Sequence, residues 1–134
     1  MSTDLHALLP TDKTQTAKAE ALVLLGFPMI EPILPKILEW MKDMNWPVAQ
    51  VFQPLLAGIG IKLAPLIRDV FETEDDVWKY WVVTAVVRES PALASELRPE
   101  LSRMAKNPTA GEQAEGVSEL AREVLGLPGA NSDA

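Results

Sequence analysis

A proline followed two residues later by an apolar side chain returns at a nearly fixed interval along this chain. The copies are Pro32-Ile33-Leu34, Pro65-Leu66-Ile67 and Pro99-Glu100-Leu101, separated by 33 and 34 residues. Each opens an apolar helical stretch, then a polar turn, then a second helical stretch. A helix pair of this length cannot bury its apolar face alone, so a repeat of this period predicts stacked pairs sharing one core. The expected fold is therefore all-α: a right-handed solenoid of about three helix pairs behind an N-terminal helix. It forms a single domain over residues 1–134, with 1–10 as a lead-in and 126–134 as a flexible tail.

Length and composition agree with this. The chain has 134 residues, 48% of them hydrophobic and 23% charged, which suits a folded domain with a sizeable core. Its net charge of −7 works against phosphate binding, and no stretch clusters Lys and Arg, so no nucleic-acid partner is expected. Acidity is concentrated late: residues 1–67 carry 5 bases and 6 acids, residues 68–134 carry 7 bases and 13 acids. Five of those acids lie between Asp69 and Asp76. With no cysteine, disulfides, thiol redox chemistry and cysteine-ligated zinc are excluded. Met1 to Pro10 has neither a basic segment nor a long apolar one, so no signal peptide is expected. The apolar run Trp81 to Val87 is too short to span a bilayer. A cytoplasmic protein that avoids membranes is the resulting expectation.

The turn chemistry predicts element boundaries. Asp12 with Gln15 reads as a capping box for a first helix ending at Leu25 before Gly26, its buried face being Ala17, Ala21, Leu22, Leu24 and Leu25. The second helix spans about Ile30 to Asp43, with Ile30, Ile33, Leu34, Ile37, Leu38 and Met41 inward. Asn45 or Trp46 caps a third helix that begins near Pro47, runs to Ala57 and contains Pro54. The next runs from Leu63 to Phe71. Thr73, with Asp76 three residues on, caps a very apolar helix from Val77 to Arg88. Its β-prone centre, Trp81 to Val87, lacks the alternation of a strand. Ser90-Pro91 opens a helix over Ala92 to Ala105 that bends or breaks at Pro99. Thr109 and Glu112 form a capping box for a last helix reaching Leu125, with Ala114, Val117, Leu120, Ala121, Val124 and Leu125 on its apolar face.

The first repeat reads Pro32-Ile-Leu-Pro-Lys-Ile-Leu-Glu-Trp40-Met-Lys-Asp43, then Val48-Ala-Gln50, then Leu55-Leu-Ala-Gly-Ile-Gly60. It resembles a HEAT repeat, with Gln50 where that pattern has Arg and Lys79 as the nearest equivalent in the second repeat; the third is degenerate. The block Glu39 to Gln50, with Leu8-Leu9-Pro10, Asp12-Lys13 and Asp76 to Trp81, is similar to a family of short bacterial proteins catalogued as domain of unknown function 5071. This resemblance spans roughly residues 5–125 and implies a fold without implying a substrate. Small helical-repeat proteins include immunity proteins to bacterial toxins, an analogy of fold.

Candidate chemistry is sparse. The only histidine, His6, lies in the lead-in, and no nucleophile–base pair is apparent, so the chain is expected not to be an enzyme. Glu72, Glu74, Asp75 and Asp76 form an acidic patch suited to a basic partner, or simply a solvated turn. They lack the spacing and central glycine of a calcium loop, and no metal or cofactor is expected. Gly58-Ile59-Gly60 follows no strand and reads as helix termination rather than a dinucleotide loop. The repeat register places Trp46 and Trp78 at equivalent points, 14 residues after Pro32 and 13 after Pro65. Trp46, Gln50, Trp78, Lys79, Tyr80 and Trp81 then form a candidate binding face on the concave side. Packing between repeats is the competing role for the indoles. A partner protein bound by a monomer or weak dimer is the leading expectation. A small-molecule site or enzyme using Glu39, Asp43 or Asp76 as acid or base is the alternative.

Overall fold

In the computed structural model, which describes residues 4–127, all regular secondary structure of the described residues is helical and none is strand. A 3₁₀ turn over Leu5–Leu8 precedes α1 (Thr16–Leu25). Then come α2 (Leu34–Glu39), α3 (Pro47–Ile59), α4 (Ala64–Phe71), α5 (Asp76–Val82), α6 (Pro91–Glu96), α7 (Arg98–Lys106), α8 (Ala110–Ala114) and α9 (Val117–Leu125). The periodic prolines act as the sequence implies. Pro32, Pro65 and Pro99 each sit in the first two positions of a 3₁₀ or α-helix, where the missing N–H costs no intrahelical bond.

α1 lies on α3, and α3 lies on the π-helical segment Val83–Val87 that continues α5. That segment and α5 both contact α9, which also packs on α7. Beside these, the 3₁₀ turn Trp40–Lys42 contacts α5, and the turn Gly60–Leu63 contacts α6. The core runs unbroken from Ala19 and Leu22 through Phe52, Ile67 and Val86 to Leu120. The six inward positions expected between Ile30 and Met41 are all buried. The run Pro47–Phe71 has the length and apolar content of a membrane span, but a 3₁₀ turn starting at Gly60 divides it, and its Phe52, Leu56, Leu63 and Ile67 belong to this core.

The β-prone stretch is helical, as expected, but changes pitch. Arg88 N–H bonds to the Val83 carbonyl, five residues back, and Gln53 Nε2 reaches across from α3 to the Ala85 carbonyl at 2.8 Å. A π-turn disturbs the regular hydrogen-bond ladder; here an amide side chain supplies an additional donor.

Several boundaries differ from the sequence reading. Asp12 accepts from Thr14 N–H, and Gln15 reaches back to Thr11 N–H, so the expected capping box is an Asx turn and α1 starts only at Thr16. Its buried face is Ala19 and Leu22; Ala17, Ala21, Leu24 and Leu25 face outward, with Leu24 88% exposed. Asp75, not Thr73, caps α5 by accepting from Trp78 N–H, while the Thr73 hydroxyl donates to the Val70 carbonyl. The break near Pro99 falls at Leu97, between α6 and α7. The last helix is two: Gly116, in the left-handed region at φ 82°, separates α8 from α9, and Ala114 is exposed. Leu5, Leu8 and Leu9 dock on the core. Of the expected tail, residues 128–134 lie outside the described residues.

Candidate functional site

Each tryptophan has its own set of packing neighbours. Trp46 caps α3 and meets Trp40 edge-on, with ring centroids 5.7 Å apart. Trp78 donates its indole N–H to the Leu38 carbonyl at 2.9 Å, tying the start of α5 to the end of α2, and the Lys42 ammonium stands 4.7 Å above its ring. Trp81 packs edge-on against Tyr80 at 5.3 Å. Gln50 is exposed and bonds to the Met44 carbonyl. Trp46 and Trp78 border two separate hollows of about 320 and 170 Å³.

Lys79 departs most from its expected place. The repeat register sets it beside Gln50 on an exposed surface; in the structure it is 3% exposed, with its ammonium 2.9 Å from Glu112 Oε2 and 3.0 Å from Asp76 Oδ1. The cause is a residue 33 positions downstream that the repeat does not foretell.

Glu112 is the centre of the site. Its capping-box role is realised: its N–H bonds to Thr109 Oγ1, and its Oε1 accepts from Thr109 N–H. The same fully buried carboxylate also takes a two-pronged hydrogen bond from Arg103, Nη1 to Oε1 at 2.5 Å and Nη2 to Oε2 at 2.7 Å, and the Lys79 ammonium on Oε2. Its four acceptor positions are therefore occupied. Burial pushes its pKa up, but Arg103, the Thr109 N–H and Lys79 outweigh that and hold it at about 2. For Lys79, burial favours the neutral form, yet Glu112 and Asp76 leave its pKa raised. Arg103 is likewise raised, chiefly by Glu112.

This network floors a cavity of about 870 Å³. The turn after α4 forms one side with Glu72 and Glu74, α7 another with Glu100, and the start of α8 closes the third with Gly111. Gly111 permits the close approach: a Cβ there would stand 2.1 Å from Asp76 Oδ2. Glu100 binds Arg68 Nε through Oε2, whereas its Oε1 is buried without a hydrogen-bond partner. Lys79 and Arg103 are matched by Asp76 and Glu112, so exposed Glu72 and Glu74 leave an excess of negative charge at the mouth, Glu72 within electrostatic reach of Arg103. Of the acidic patch, Asp75 is used as a cap and Asp76 as an ion-pair partner. Among the described residues no group of His, Cys, Asp and Glu is placed to hold a metal ion.

Sequence reasoning singled out the acidic side of this cavity and missed the other. Glu100 and Arg103 read as ordinary polar residues of a helix. Glu112 read as a cap, and no local pattern distinguishes a cap that is also buried.

An all-helical chain with a charged cleft is thus the class that fold and site define. Comparison with known families matches residues 8–125 to the Domain of unknown function (DUF5071), and the chain belongs to that family. No curated protein matches it.

Proposed function

We propose that this protein is a non-enzymatic protein-interaction module built as a HEAT-like stack of helix pairs, and that it receives a basic segment of its partner in the acidic cleft. The stack reading is supported by the serial contacts of α1, α3, the 83–87 segment and α9, and by the prolines at equivalent helix starts. The single observation behind the binding reading is the charge balance of the 870 Å³ cavity: its cations are paired within the wall by Asp76 and Glu112, while exposed Glu72 and Glu74 add two further negative charges at the mouth, Glu72 within electrostatic reach of Arg103. Such a mouth draws in and orients positive groups. Toxin immunity is one concrete form of the role.

Glu112, Asp76 and Glu39 lend little to the enzymatic alternative. A general base needs a free lone pair and a pKa near the working pH. Glu112 has neither; Asp76 is paired with Lys79, and Glu39 lies 3.7 Å from Lys36 outside this cavity.

Titration with a labelled arginine-rich peptide and a glutamate-rich peptide of equal length tests the reading. The arginine-rich peptide should bind alone, more weakly at higher salt, and the exposed double change Glu72→Lys with Glu74→Lys should abolish the preference. Equal affinity for both peptides, or indifference to the double change, refutes it.

A further inference from the structure

The wall that α8 contributes to the cleft is attached in an unusual way. Of its five residues, Ala110 to Ala114, only Glu112 is buried; Ala110, Gln113 and Ala114 are exposed. A helix normally docks through an apolar stripe. This one docks through a carboxylate held by Arg103 of α7 and Lys79 of α5. At one end Asn107-Pro108 interrupts the helical path; at the other, Gly116 turns the chain in the left-handed region. The neighbours differ: α7 buries Leu101, Met104 and Ala105, and α9 buries Val117, Leu120 and Ala121.

We infer that α8 is an ionically latched lid on the cleft, able to swing out as a unit while α7 and α9 stay packed. With almost no apolar surface to expose, its opening requires chiefly that the Glu112 carboxylate exchange Arg103 and Lys79 for water. Salt reaches this latch through the half-exposed Arg103 arm, the buried Lys79 arm being screened much less, and leaves apolar docking intact. Opening widens the cleft on the side where Gly111 now presses on Asp76. The gating role rests on the cleft being the binding site; the lid motion does not.

Hydrogen exchange of the free protein, read by mass spectrometry, tests the lid without a partner. Amides of 110–116 should exchange at least about tenfold faster than those of 117–125, as expected for a local rather than global opening. Raising sodium chloride should speed 110–116 selectively. Glu112→Gln should speed 110–116 by a larger factor than α1 to α4; Arg103→Gln, at a half-exposed side chain, provides the same readout should the first variant fold poorly. Equal protection of 110–116 and 117–125, or acceleration spread over the whole chain in Arg103→Gln, overturns the lid. Failure of the arginine-rich peptide to bind would instead remove the cleft reading and leave the lid result standing.

Discussion

Glu112 shows how much one side chain can be asked to do. It completes a cap, satisfies the guanidinium of Arg103 and compensates a buried ammonium. Removing one member of a buried ion pair strands the rest, at a cost of about 3–5 kcal/mol. Urea denaturation of Glu112→Gln should show a loss of that order, far above the effect of the exposed Lys36–Glu39 pair. The pH dependence has a definite sign. The folded pKa, about 2, lies below the ordinary 4.5, so the stabilisation is complete above pH 4.5 and drains away as pH falls toward 2. A urea midpoint series across that window should fall in the parent protein and be flatter in Glu112→Gln.

At the scale of elements, local signals performed well where the chain's own turn chemistry decides. Trp46-Pro47 starts α3 and Ser90-Pro91 starts α6, as their sequences imply. They failed where two outcomes are close in local energy. Asp75 and Thr73 both offer a capping oxygen; Asp75 takes the Trp78 N–H three residues on, while the Thr73 oxygen accepts from Asp75 N–H before the helix begins. One last helix reaching Leu125 would have to run through Gly116, and an isolated glycine in an amphipathic pattern is tolerable in a helix. The φ of 82° at Gly116 makes it a joint. Gly116→Ala should therefore lose about 1–2 kcal/mol in thermal unfolding, despite alanine's better helix propensity. A gain in melting temperature would show that α8 and α9 can fuse into one helix.

Across the whole molecule, the face each helix buries depends on which neighbours it has. α1 has apolar residues on opposite sides, Leu22 inward and Leu24 outward, and nothing in its own pattern selects between them. Its contact with α3 selects. Leu22→Ala should cost about 2–5 kcal/mol, whereas Leu24→Glu should stay within about 0.5 kcal/mol, both read by chemical denaturation. Trp78 shows the same logic. It lies in the first turn of α5, and only the packed neighbours let its indole N–H reach the Leu38 carbonyl of α2.

The sequence by itself determined the helical class, the proline-marked starts and the buried stripe from Ile30 to Met41, because these follow from backbone sterics and the 3.6-residue period. Only the tertiary structure decided that Lys79 is buried, that α8 is held by charge, and that Glu72, Glu74 and Glu100 surround one cleft. Those outcomes join residues about thirty positions apart. Coulomb pairing at such separations depends on distance in space, which the chain acquires only once its helices have packed.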